Sequence, residues 1–323
     1  MGADTLVIGK QGSGSGNDTW KYCEKGLGGS HPGLSVCAKG AASSSDCSEN
    51  SPSMNRQKDR RAFDVLIMAT MSAGKSSLVN ALIGHELLHT ANEATTACHT
   101  RIEHKREAKY FTGCSYSHEN KLLNRQHNIT ATQLRSWNIC EDVRQISLIG
   151  KFASLPEPVP SLVLHDTPGP NNSQDDQHAE LAFEAVRSVP FKTLVYVLNA
   201  SQLGTQDDLN LLERIREEIG PRRRNPFCFV LNKVDLLDPE KGEDLAECVA
   251  NARSYLSGIG FKSPAIIPCV ANAALYARKA LADEPLTRVQ RRALQQALDD
   301  FPADSHDLLE SAQVPKRVKK RVF

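Results

Sequence analysis

Apolar residues in this chain fall into short continuous runs, separated by stretches where they recur every three or four positions. Residues 63–68, interrupted only by Asp64, residues 162–164, 194–198, 227–231 and 265–270 are runs of strand length without polar alternation. That pattern belongs to strands buried on both faces of a parallel sheet. Leu78, Val79, Leu82 and Ile83 recur at helical spacing until Gly84, a natural C-cap. Residues 206–218 and 243–259 predict further helices, and 286–298 a charged amphipathic one. Strands alternating with helices predict an α/β fold, a three-layer sandwich around a mostly parallel central sheet.

Three of these strands end in residues that carry chemistry. The first runs into Ala69-Thr70-Met71-Ser72-Ala73-Gly74-Lys75-Ser76, placed between a strand and a helix. A phosphate-binding loop needs successive backbone N–H groups facing one concavity, a lysine reaching the outer phosphates and a hydroxyl for magnesium. Ala73, Gly74, Lys75, Ser76 and Ser77 are the candidate set, with Ser76 the metal-ligating hydroxyl. The helix N-terminus adds its dipole and unpaired amides. The usual first glycine is Ala69, so a positive φ required there would weaken binding. A serine-rich turn capping an ordinary helix is the alternative for this loop taken alone.

The second run delivers His165-Asp166-Thr167-Pro168-Gly169. Asp166 can hold magnesium through water, and the Gly169 N–H can bind the γ-phosphate. The fourth run ends in Asn232-Lys233-Val234-Asp235. There the Asp235 carboxylate can accept from the two adjacent guanine donors while Lys233 packs its aliphatic stem along the base. Adenine lacks that donor pair, and a site built around substrate hydrogen bonds rejects an analogue lacking them by roughly 10⁴-fold or more. The three motifs in this order predict a P-loop protein binding GTP and GDP rather than ATP.

Together these residues resemble the G domain of the dynamin superfamily, especially bacterial dynamin-like proteins. The likeness rests on residues 71–84, on Thr95-Thr96-Ala97, on Asp166-Thr167-Pro168-Gly169-Pro170-Asn171, on Asn232-Lys233-Val234-Asp235 and on Ser201-Gln202-Leu203-Gly204-Thr205. It covers roughly residues 61–282. Lys75 and Asp166 stand 91 positions apart, leaving room for a large insertion around switch I that a compact Ras-like domain lacks. The resemblance implies a GTPase hydrolysing GTP with Mg²⁺. Thr96, or alternatively Thr95, would be the switch I threonine closing on the metal and the attacking water. It further implies that two G domains meet across their nucleotides and that a monovalent cation, K⁺ or Na⁺, substitutes for an arginine finger. Ser72 occupies the position that helps hold that ion, whereas Met71 stands where a water-orienting glutamine is frequent. Hence Ser72, Lys75 and Thr96 are the catalytic candidates, and Ser76, Thr96 and Asp166 the metal ligands. Val270-Ala271-Asn272 stands where GTPases place a loop against the base, and the Ala271 N–H is the candidate donor to guanine O6.

Composition agrees with such an enzyme. The 323 residues include 40% hydrophobic ones, enough for a sizeable core, and a net charge of +1 predicts no dominant nucleic-acid field. Nine cysteines contain no Cys-x-x-Cys pair, and Cys98, His99, His104, Cys114 and His118 fit no standard zinc spacing, so reduced thiols are expected. Residues 1–60 are rich in Gly and Ser and predict disorder; 61–282 form the G domain; 283–323 form a short helical extension with a basic tail of Lys316, Arg317, Lys319, Lys320 and Arg321. That tail reads as a solvated terminus, with peripheral contact to an anionic membrane as the alternative; Arg222-Arg223-Arg224 reads as an exposed loop. No run approaches the ~20 apolar residues of a membrane span, and a cytoplasmic protein is expected. Little chain remains to build a stalk, so membrane fission by this chain alone is not expected. Two other functions stay open: a nucleotide-dependent interaction module that turns over poorly, and a ribosome- or RNA-associated GTPase.

Overall fold

The computed structural model describes residues 62–90, 98–155, 161–168, 176–220, 227–302, 307–315 and 318. The expected N-terminal disorder, Arg222-Arg223-Arg224 and the basic tail lie outside these residues. Nine strands form one sheet: β1 (Phe63–Ala69), β2 (His99–His104), β3 (Thr112–Tyr116), β4 (Leu122–Gln126), β5 (Gln145–Gly150), β6 (Leu162–Asp166), β7 (Thr193–Asn199), β8 (Phe227–Asn232) and β9 (Ile266–Cys269). The helices are α1 (Lys75–Ile83), α2 (Ala131–Asn138), α3 (Asp176–Ser188), α4 (Gln206–Ile219), α5 (Leu245–Ile259), α6 (Ala271–Leu281), α7 (Arg288–Asp300) and α8 (Asp307–Ser311).

Strand order is β4-β3-β5-β2-β6-β1-β7-β8-β9. From β6 to β9 every pairing is parallel, and these are the strands with continuous apolar runs. β1, β7 and β8 are sandwiched between two cores. Along β1, Leu66 and Met68 join the core under Phe183, Leu212 and Leu256, while Val65, Ile67 and Ala69 join the opposite core with Val79, Ile83 and Leu275. The period of two thus splits one uninterrupted run between two helical layers. The 91-position interval holds β2 to β5 and α2, a sub-sheet that joins β6 through antiparallel β2. β2, β3 and β5 alternate buried with partly buried or exposed residues and β4 is exposed along most of its length, so none leaves a continuous apolar run in the sequence.

Helix boundaries differ from the periodicity where capping overrides it. α5 starts at Leu245 rather than 243, because Asp244 accepts from the N–H groups of Ala246 and Glu247. α7 starts after a Thr287–Gln290 capping box that follows Pro285. Its Gln290 Nε2 donates to Glu86, 3.2 Å away, and Lys279 Nζ of α6 lies 2.9 Å from the same carboxylate. Beyond α8, Gln313 exchanges two backbone hydrogen bonds with Ile266 on the β9 edge, so the extension is not helical alone. Among the described residues no helix is long and apolar enough to cross a membrane.

Leu66 is fully buried at the centre of the sheet. Leu66→Ala is expected to lower unfolding free energy by about 2–5 kcal/mol through lost transfer energy and a residual cavity. The shift of the denaturant midpoint measures it, and a change below about 1 kcal/mol contradicts this packing.

Candidate functional site

Parallel strands bring their C-terminal ends to one edge of a sheet, where the connecting loops build sites. At that edge β1 ends in Ala69, β6 in Asp166 and β8 in Asn232. After β1 the chain turns at once, the Ala73 N–H donating to the Thr70 carbonyl at 3.4 Å. Left-handed conformations fall at Ser72, φ 60°, and Gly74, φ 93°, and not at Ala69, which stays in the strand. The expected penalty for lacking a glycine at 69 therefore does not arise. The backbone demand lies instead on exposed Ser72, where a serine in this region costs about 1–2 kcal/mol.

Lys75, Ser76 and Ser77 open α1 and are buried. The Lys75 ammonium is ion-paired with Asp166 Oδ1. Asp166 is itself fully buried, delivered by the parallel register that sets it beside Ile67. The next residue, Thr167, donates its hydroxyl to the Ile67 carbonyl at 3.0 Å and locks the end of β6 against β1. Ser76 and Asp166, adjoining Lys75 in sequence and in space, are hard oxygen donors.

Asn232 closes the site from the far side. Its Nδ2 donates to the Ala73 carbonyl at 3.0 Å, and its Oδ1 accepts from the Ala271 N–H at 3.0 Å. One buried amide thus joins the phosphate loop to the start of α6. The Ala271 N–H, expected to donate to guanine O6, is engaged by Asn232, because a first-turn helical amide lacks an internal partner and the buried oxygen lies beside it. Lys233 follows with φ 66°, and its stem reaches within 4.0 Å of where a Gly74 Cβ would stand. Asp235 sits half-buried in a single turn of 3₁₀ helix. Burial raises its pKa, helped by the Asp300 charge, while Lys233 opposes the rise.

Comparison with known proteins now decides the lineage. Residues 65–234, more than half of the chain, match the model of the dynamin family. The chain belongs to the dynamin family. It is similar to Dynamin-like protein 1 of Campylobacter jejuni, with 27% identity over 229 residues, covering 60% of this chain and 30% of that protein. The chain thus spans less than a third of that relative's length. Among solved structures, an oligomerised bacterial dynamin pair implicated in long-range sensing and tethering of membranes aligns with TM-score 0.49 and 20% identity, over 80% of this chain and 39% of that one. Era in complex with MgGDPNP and nucleotides of 16S ribosomal RNA aligns with TM-score 0.38 and 17% identity, over 71% and 58%.

In this dynamin-family chain the candidates fall into two groups. Ser72, Ala73, Gly74, Lys75, Ser76, Ser77, Asp166, Asn232, Lys233, Asp235 and Ala271 converge on one edge of the sheet. Thr96, its alternative Thr95, and Gly169 lie outside the described residues. Two polar residues at the site escape periodicity. Buried Asn80 accepts from the N–H groups of Leu87 and Leu88 and donates to the Leu88 carbonyl at 2.7 Å, pinning the chain that follows α1. Asp208, on α4, accepts from Thr70 at the root of the phosphate loop. A polar residue inside an apolar helical stretch was the available signal for Asn80; Asp208 reads only as a helix-capping residue. Burial and the Asp166 charge push the Cys98 thiol up to about 12.

A Cβ on Gly74 would stand 2.2 Å from Asn232 Nδ2, and the φ of 93° is itself unfavourable for any L side chain. Gly74→Ala is expected to weaken guanine-nucleotide binding at least ~100-fold, since the loop must abandon either its conformation or the Asn232 bond. Fluorescent GDP titration measures this; affinity within about threefold of the parent contradicts it.

Proposed function

We propose that this chain binds GTP with Mg²⁺ and hydrolyses it to GDP and phosphate. The observation that carries the reading is the Asn232 amide, which holds the loop around Lys75 and the segment leading to Asp235 in one rigid frame. A base and a triphosphate belonging to one nucleotide require such a frame. Lys75, the N–H groups of residues 73–77 and the Gly169 N–H bind the phosphates. Ser76, Asp166 and Thr96 supply the oxygen ligands for Mg²⁺, which when bound neutralises charge on the phosphate oxygens. Lys75 exchanges Asp166 for the phosphates as the nucleotide enters, so the buried ammonium remains compensated throughout.

Phosphoryl transfer asks for positioning and charge neutralisation, not covalent chemistry. Thr96 orients the attacking water, Lys75 stabilises the charge developing on the γ-phosphate, and Ser72 holds a monovalent cation. Asp235 accepts from guanine and Lys233 covers the base. Met71 and Ser72 are exposed at the rim of the loop, which supports completion of the site by a second G domain facing the first.

Two measurements test this reading. Asp235→Asn replaces one acceptor oxygen with a donor and is expected to turn preference from guanine toward xanthine nucleotides, with GTP affinity falling by at least ~100-fold. Retained GTP selectivity in competition binding refutes the base assignment. Phosphate release per molecule is expected to rise with protein concentration. A flat dependence removes the dimer, and absence of release with tight GTP binding identifies an interaction module that does not turn over.

A further inference from the structure

Outside the residues assigned to nucleotide, Asp208 is a buried carboxylate held by hydrogen bonds from other elements. Only 1% of this residue is exposed. Its Oδ1 accepts from the Thr70 hydroxyl at 3.0 Å and from the Tyr196 hydroxyl at 2.8 Å, while its backbone N–H donates to Thr205 Oγ1 at 3.2 Å. Three elements meet there: the root of the phosphate loop, strand β7 and the N-terminus of α4. The helix dipole and two hydroxyl donors compensate the charge. Burial nevertheless works against ionisation. What the carboxylate supplies is a directed acceptor for the Thr70 hydroxyl and the buried Tyr196 hydroxyl, which an apolar residue of similar volume would leave unpaired.

What it directs is Thr70. That residue is held twice, by its hydroxyl to Asp208 and by its carbonyl, which accepts from the Ala73 N–H. Between the two anchored points lie Met71, half exposed, and Ser72 in its left-handed conformation. Downstream, Ala73 and Gly74 have their own support from Asn232. The loop thus has two independent supports. Asn232 serves the half that grips phosphate, and Asp208 serves the half that aims Met71 and Ser72.

We propose that Asp208 is a positioning residue for GTP hydrolysis, acting through the Thr70 hydroxyl to orient Met71 and Ser72, so that its loss reduces turnover and spares nucleotide affinity. It follows that segment 201–205, whose Thr205 caps the same helix, is mechanically linked to the phosphate loop. This inference rests on the GTPase reading above, and the experiment separates the two.

GTP turnover is measured at saturating Mg²⁺ for the parent chain, Thr70→Ser, Thr70→Val, Asp208→Asn and Thr70→Val combined with Asp208→Asn. Thr70→Val is expected to lower kcat by about tenfold with KM within about threefold, while Thr70→Ser, which keeps the hydroxyl, stays near the parent. The double variant is expected to be no slower than the more impaired single variant, because both remove one interaction. Should Asp208→Asn fail to fold, the Thr70 pair decides alone. Equal kcat for Thr70→Ser and Thr70→Val, or a loss confined to KM, overturns the positioning role and leaves the GTPase reading intact. A parent chain that releases no phosphate overturns the GTPase reading and this inference with it.

Discussion

A single buried side-chain amide, that of Asn232, imposes the constraint on which the rest of the site depends. An amide offers both a donor and an acceptor on one rigid plane, and here one is used on the loop before α1 and the other on the start of α6. An Asp in its place would lack the donor for Ala73, and a Leu would leave a backbone carbonyl and a backbone N–H buried without partners. Each such group costs about 1–3 kcal/mol. Because Asn232 ends β8, an interior strand next to the β9 edge, its position is fixed by ladder bonds to β7 and β9. The frame of the site is inherited from the sheet itself.

Within that frame the dominant electrostatic fact is the buried pair of Lys75 and Asp166. Neither charge could remain there alone, since an uncompensated buried ion costs several kcal/mol. The pair is also poised for exchange. A triphosphate offers Lys75 an anionic partner, and a divalent cation offers Asp166 a positive one. Binding both together preserves local neutrality, whereas binding either alone leaves an unmatched charge. On the proposed reading, this balance would make uptake of nucleotide and metal cooperative without any moving part.

The central parallel half of the fold was legible because its strands are buried on both faces and so leave continuous apolar runs. Motifs were legible because chemistry restricts residue types at strand ends, and Lys75, Asp166 and Asn232 do meet in space. The sub-sheet of β2 to β5 was not, since strands with one wet face and interspersed histidines, as in His99–His104, carry little hydrophobic signal. Nor could spacing reveal that positive φ would fall at Ser72 rather than Ala69, a property of the closed turn and not of any one residue. Asp208 stayed hidden for a related reason. Its position three residues after Thr205 satisfies local capping logic, and only tertiary contact discloses that the carboxylate faces the phosphate loop.

Long-range connection in the molecule also runs through α1. The helix begins at the phosphate loop and ends at Gly84, with a left-handed C-cap whose N–H bonds the Asn80 carbonyl. Two residues further, Glu86 holds Lys279 of α6 and Gln290 of α7. Nine helical residues span about 13 Å. A rigid rod of that length therefore joins the group that grips phosphate to the carboxylate that holds the C-terminal extension. Both of its ends are fixed by hydrogen bonds rather than by apolar packing alone. Since α6 starts at Ala271, bonded to Asn232, the extension is tied to the site along two separate routes. The Asn232 route is buried, whereas the Glu86 route runs through a half-exposed carboxylate.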